Sequence, residues 1–167
     1  MSGAATFVLQ TGGAMCVAAG GYLVLLLRVW PRVFLRRFPE GVRAIVPPLS
    51  TRERVLGALV SFPLFAMLLG FPALTAWGLR MEFGAEGFMS LFFGAYSVWM
   101  LFNLFDWLIL DELLLGVIRP RWLALEGAEH VPLRFERIEH ARSFLRGSLG
   151  GGIVCAVIAL TVGYLAN

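Results

Sequence analysis

The sequence predicts an all-α fold: a polytopic membrane protein, a four-transmembrane-helix bundle in one domain (1–167) with both termini outside the cell. Three observations carry this expectation. Of the 167 residues, 59% are hydrophobic and 15% charged, against roughly 25% charged in soluble domains. The apolar residues gather into four runs of membrane length, about 4–29, 51–79, 87–118 and 141–166. The arginines, finally, crowd into the first and third of the segments that join those runs.

The first run, about Ala4 to Val29, carries no charge before Arg28. Its uncharged start and its length distinguish it from a secretory signal, which has a basic beginning and a short apolar core. Gly12-Gly13-Ala14 and Ala18-Ala19-Gly20-Gly21 set small residues about two turns apart, where another helix can approach closely.

Between Trp30 and Glu53 the composition changes. Arg32, Arg36, Arg37, Arg43, Arg52 and Arg54 lie in or beside a stretch containing Pro31, Pro39, Pro47 and Pro48. Val33, Phe34, Leu35 and Phe38 interleave with the arginines, a pattern expected to lie against lipid headgroups. Ser50-Thr51-Arg52-Glu53 then fits a capping box, in which the serine hydroxyl and the glutamate carboxylate satisfy amides at a helix start. The second helix begins there and contains Pro63 and Pro72, each of which removes a backbone hydrogen bond, so a kink opening a ligand cavity is one expectation.

A short link from Arg80 to Gly87 precedes the third helix, which ends before Arg119-Pro120-Arg121. The polar segment Trp122 to Ala141 follows, with Glu126, Glu129, His130, Glu136, Glu139 and His140. The last helix holds Gly147, Gly150, Gly151 and Gly152, of which Gly147 and Gly151 form a GxxxG pair suited to tight helix packing.

Orientation follows from arginine placement, since short cytoplasmic loops accumulate Arg and Lys. The 30–50 region is basic, and the 119–140 region with its margin carries Arg119, Arg121, Arg134, Arg137 and Arg142, whereas the link between the second and third helices has Arg80 alone. The 30–50 and 119–140 loops are therefore expected in the cytoplasm, and the chain in the cell membrane. The net charge of +3 comes entirely from arginine. A basic face with exposed aromatics, as a nucleic-acid partner needs, is not evident. The expected partners are membrane lipids and further subunits in a homo- or hetero-oligomer. Cys16 and Cys155 sit inside apolar runs without CxxC spacing and read as small hydrophobes.

The third helix departs from this plan. Asn103, Asp106, Asp111 and Glu112 interrupt an otherwise apolar run. An Asp at the centre of a membrane helix costs about 2.5 to 3.5 kcal/mol, which the run's many Leu, Ile, Phe and Val residues offset. On an α-helix at about 100° per residue, Tyr96, Asn103 and Asp106 share a sector of roughly 80°, with Asp111 about 80° from Asn103 on the other side. Asp106 and Asp111 would be offset by about 7.5 Å along the axis, so a third group is expected between them: Asn103, water, an arginine or a cation. Glu112 points elsewhere and is expected to be solvated at the interface. One resolution pairs the acids with Arg142 or Arg146. Another brings His140, with Glu129, to Asp106 and Asp111 as an oxygen and nitrogen cluster for a divalent transition metal or a proton relay.

Phe105-Asp106, Asp111, Pro120, Glu126-Gly127-Ala128-Glu129, and His140 before Phe144-Leu145-Arg146-Gly147 resemble a family of small prokaryotic four-helix integral membrane proteins of uncharacterised function. The resemblance covers roughly 100–150, and in the turn only Gly127 and Glu129 match. It implies that Asp106, Asp111, Glu129 and His140 belong to one site, in a prokaryotic plasma membrane, and implies no activity.

Three functions fit. The first is an accessory or structural membrane subunit carrying a buried acidic cluster and packing through its glycine-rich helices. The second is a membrane-embedded metal-dependent enzyme using Asp106, Asp111 and His140, with a divalent metal ion as cofactor; no HExxH, HxxxH or CxxC pattern supports it. The third is a proton- or cation-coupled transporter subunit.

Overall fold

The computed structural model describes residues 2–38, 40–118, 120–131 and 137–165. Arg119, Arg134 and Glu136 lie outside the described residues, as do the side chains of Arg37, Arg137 and Glu139. The chain is all-α: helix α1 (Gly3–Val29), a 3-10 segment (Pro31–Arg37), short helix α2 (Glu40–Ile45), α3 (Thr51–Phe83), α4 (Phe88–Phe105), a π-helix (Asp106–Ile118), a 3-10 turn (Arg121–Leu123) and α5 (Arg137–Leu165). α1, α3 and α5 are long and apolar enough to cross a membrane, the pattern of a multi-pass membrane protein. Their outward faces carry residues such as Phe62, 72% exposed, and Leu149, 73% exposed. Such apolar surface is stable against lipid and costly against water.

Ser2 caps α1 by accepting the Ala5 N–H, at 3.3 Å. At the start of α3 the capping box forms: Ser50 Oγ accepts the Glu53 N–H at 3.2 Å, and Glu53 Oε2 accepts the Ser50 N–H at 2.8 Å. Glu53 Oε1 also holds Arg32 Nε at 2.8 Å, tying the 3-10 segment to this helix start. α3 runs one turn beyond the expected end near Leu79. Arg80 and Glu82 are compatible with helix, and the helix stops only where Gly84 takes a left-handed φ of 62°, a conformation open to glycine. Pro63 lies within α3, and the carbonyl of Val60, three residues before it, accepts the Tyr22 hydroxyl of α1 at 2.7 Å.

α4 packs against α1, α3 and α5 and so forms the centre of the bundle. Gly12 and Gly20 of α1 receive the side chains of Leu101 and Phe105, whereas Gly13 and Gly21 face open space. One core joins Ala76 and Leu79 of α3, Leu91 and Ala95 of α4, and Cys155 and Ala159 of α5. A second joins Met15, Ala19, Val98 and Phe102 between α1 and α4.

A third core lies at the end of the bundle. Leu35, Phe38, Val42 and Val46 from the first connecting segment are buried against Leu123, Leu125 and Ala128 from the later one, with Leu27 of α1. This changes the expectation for 30–50. Leu35 and Phe38, read as facing lipid headgroups, pack against protein, because the second connecting segment supplies apolar residues of its own. The run expected as one α-helix over 87–118 also differs, for it changes winding at Asp106.

Candidate functional site: two carboxylates on a π-helix

The site begins where α4 ends. The Asp106 N–H donates to both the Phe102 and the Asn103 carbonyls, and from Asp106 to Ile118 the chain winds as a π-helix. A π-helix closes i→i+5 hydrogen bonds and recurs at functional sites. Its wider turn sorts the side chains into three stripes. Asp106, Leu110, Asp111 and Leu115 line one cavity; Trp107 and Glu112 meet α5; Leu108, Ile109, Leu113, Val117 and Ile118 are exposed.

No α-helix sorts these residues in this way. At about 100° per residue Asp111 and Leu115 would fall about 140° and 180° from Asp106. At roughly 4.4 residues per turn, the winding that i→i+5 bonds close, the four cavity residues share a sector of roughly 80°. The physical reason for the π winding is this three-way demand on one segment: acids inward, apolar side chains outward, and Trp107 and Glu112 on α5.

The cavity has a volume of about 50 Å³, room for roughly three waters. Among the described residues its other walls are apolar: Leu23 and Leu27 of α1, Phe34 of the 3-10 segment, Phe38 just after it, and Leu123. It therefore sits where the bundle meets the packed connecting segments. No α3 residue lines it, so Pro63 and Pro72 do not shape it directly.

The remaining candidates take other places. Asn103 is one of the groups expected between the two acids, but its Nδ2 donates to the Phe144 carbonyl at 3.0 Å and to Ser148 Oγ at 2.9 Å, both on α5. The Tyr96 hydroxyl donates to the Ser148 carbonyl at 3.3 Å and Trp99 Nε1 to the Gly147 carbonyl at 3.0 Å. These donors form a ladder along the face of α4 that meets α5. Gly147 and Gly151 make that approach feasible: a Cβ on Gly147 would lie 2.6 Å from Asn103 Oδ1, and one on Gly151 would overlap the Trp99 indole. Trp99 and Ser148 escaped the sequence reading, although Trp99 lies three residues after Tyr96 and four before Asn103, the spacing of one helical face.

His140 Nδ1 lies 3.4 Å from Glu112 Oε1, with side-chain exposures of 11% and 31%. Glu112, expected to be solvated at the interface, thus contacts α5 while remaining partly exposed. Trp107 packs on Phe144 with ring centroids 4.8 Å apart, and its buried Nε1 has no hydrogen-bond partner among the described residues. Arg142 and Arg146, the expected ion-pair partners, are exposed and do not line the cavity.

Glu129 is also exposed. One of its carboxylate oxygens accepts the Gly127 N–H at 3.0 Å, closing a turn that Gly127 enters with φ 84°. The backbone amides of Glu129 itself and of Gly127 hold this carboxyl below its ordinary range. Neither Glu129 nor His140 lines the cavity, and among the described residues no three His, Cys, Asp or Glu side chains converge as metal ligands.

What fold and site define is a helical multi-pass membrane protein with two carboxylates in one cavity whose other described walls are apolar. No protein-family model, curated protein or solved structure matches the chain.

Proposed function

We propose that the protein is a small accessory subunit of the prokaryotic plasma membrane, held together by the seam between α4 and α5 and carrying Asp106 and Asp111 in the cavity on the continuation of α4. In this reading α4 and its π-helical continuation make a fourth crossing, with the 30–50 and 119–140 loops in the cytoplasm. The arginine distribution supports that orientation, and the shared core of the two connecting segments supports placing them on one side.

The observation that carries this reading is the seam between α4 and α5. Tyr96, Trp99 and Asn103 donate across it to Ser148, Gly147 and Phe144, and Gly147 and Gly151 leave room for that approach. Close approach at small residues with hydrogen bonds across it is how membrane helices hold together. Asp106 and Asp111 lie on the continuation of α4, in a wall that among the described residues is otherwise leucine and phenylalanine. The outward apolar faces are left for lipid or a partner subunit.

Thermal stability of the purified protein in lipid nanodiscs tests this. Trp99→Phe and Asn103→Leu, which remove donors across the seam, are each expected to lower it. Wild-type stability in both variants would contradict the proposal.

A further inference from the structure

We infer that the end of α1 and the start of α3 form a binding surface for an anionic phospholipid, with Arg28, Arg52 and Arg54 at its phosphate and the outer face of α3 along its acyl chains. This surface requires only that α1 and α3 lie in lipid. It is independent of the α4–α5 seam and of Asp106 and Asp111.

The two helix ends stand at one depth. The Tyr22 hydroxyl of α1 meets the Val60 carbonyl of α3 at 2.7 Å, and Phe7 lies against Gly78, so the two helices run antiparallel. Counting from the Tyr22 contact at about 1.5 Å per residue along both, Arg28 stands level with Arg54. The 3-10 segment fastens this corner: Arg32 Nε donates to Glu53 Oε1 at 2.8 Å and its Nη2 to the Pro47 carbonyl at 3.4 Å, while Val33 sits over Gly57.

The positive charge at this corner exceeds what the protein answers. Between Arg28 and Arg54 the chain has two carboxylates, Glu40 and Glu53. Both oxygens of Glu53 are occupied, one by Arg32 and the other by the Ser50 N–H, and Glu40 is exposed on α2. Arg28 and Arg52 are exposed and make no hydrogen bond or ion pair among the described residues. Arg54 Nη2 donates to Thr51 Oγ1 at 3.2 Å, an uncharged acceptor. Arg52 and Arg54 also stand in the first turn of α3, the end at which the helix dipole disfavours positive charge. Helix stability therefore does not account for them, whereas a phosphate beside them relieves both the repulsion and the dipole.

The same helix supplies the apolar half of the surface. On α3 Arg52, Val55, Leu59 and Ala66 share a sector of roughly 60°, with Phe62 at its edge, and all five are exposed. The stripe runs for about 20 Å, more than the roughly 15 Å of one hydrocarbon leaflet. Trp30, exposed just after α1, adds a ring of the type favoured at headgroup level. Leu35 and Phe38 are buried, so the headgroup contact falls to these helix ends. A soluble anion would satisfy the arginines alone; a lipid satisfies the arginines and the stripe together. A choline or ethanolamine headgroup would bring its own cation beside the guanidinium groups, which favours a lipid with net negative charge.

The test is thermal unfolding of the purified protein in a neutral detergent, with phosphatidylglycerol, phosphatidylcholine of the same chains, or glycerol phosphate added. Phosphatidylglycerol is expected to raise the unfolding temperature most, and its advantage over phosphatidylcholine should shrink as salt is added. The double variant Arg28→Gln, Arg52→Gln should bind phosphatidylglycerol about tenfold or more weakly while its response to phosphatidylcholine stays that of the wild type. Equal stabilisation of the wild type by the two lipids, or a preference that salt leaves untouched, would overturn the inference without recourse to any variant. Glycerol phosphate matching phosphatidylglycerol would reduce the surface to an anion site and overturn the lipid assignment. Undiminished phosphatidylglycerol affinity in the double variant would overturn its location. None of these outcomes bears on the α4–α5 seam, which Trp99→Phe and Asn103→Leu test separately.

Discussion

Asp106 and Asp111 line the same cavity although they are five residues apart, a separation that would turn them about 140° from each other on an α-helix. The π winding of 106–118 is what unites them. Asn103, three residues earlier on the α-helical part, instead faces α5 and hydrogen-bonds Phe144 and Ser148. The change of winding therefore divides the polar residues of this run into a packing set above and an acid pair below.

The packing set gives a sharp contrast between neighbouring glycines. Gly151→Ala drives a methyl group into the Trp99 indole, and Gly150→Ala meets open space. Overpacking of this kind costs about 1 to 3 kcal/mol, whereas alanine on an unobstructed helix face is neutral or mildly stabilising. Thermal unfolding in detergent should show a clear loss for the first and none for the second. Equal effects would mean that α4 and α5 do not approach along this line.

The start of α3 offers a second test. Ser50→Ala removes the acceptor of the Glu53 N–H, at an expected cost of about 1 kcal/mol. Glu53→Gln keeps most of the cap geometry but weakens the link to Arg32, so its effect should shrink as salt is added, as for other exposed ion pairs. Unfolding measurements at low and high ionic strength distinguish the two variants; a salt-independent Glu53→Gln effect would deny the Arg32 contribution.

Much of this architecture was legible in the residues, for identifiable reasons. Apolar runs report spans directly because lipid demands them, and Ser50 with Glu53 announces a helix start because the cap is local in sequence. The winding at Asp106 was not legible, since no residue type encodes an i→i+5 turn; it reflects demands from α1, α5 and the exterior together. The same is true of Leu35 and Phe38. Their burial depends on Leu123 and Leu125, about 90 residues further along the chain, so sequence-local reasoning assigned them to lipid. Donor chemistry and the resemblance both group His140 and Glu129 with the acids, while the structure shows His140 beside Glu112 and Glu129 closing its own turn.

Glu129 carries a pH dependence with a defined sign. Its carboxyl is lowered on folding from an ordinary value of 4.5. A group depressed in this way stabilises the turn above that ordinary value, and the contribution is lost as pH falls through the depressed folded value. The Gly127 amide resonance should accordingly titrate with a midpoint below 4.5, and Glu129→Gln should abolish the transition. A midpoint at or above the ordinary value would contradict the backbone capping.

The four-crossing arrangement can be checked with single cysteines in a Cys16→Ser, Cys155→Ser background. Arg43→Cys and Arg121→Cys should react with a membrane-impermeant thiol reagent only from the cytoplasmic side, and Glu82→Cys only from the other. Labelling of Arg43→Cys and Glu82→Cys from the same side would remove the proposed topology.

The central claim is that the π winding brings Asp106 and Asp111 into one cavity beside Leu27, and crosslinking along the same segment reads this most directly. In a Cys16→Ala, Cys155→Ala background in nanodiscs, a short bismaleimide should link Leu27→Cys to Leu115→Cys, which lines the cavity with it, in strong preference to Leu113→Cys, which is exposed. Preferential linkage of 27 to 113, the pairing that an α-helical winding from Asp106 would give, would contradict the account.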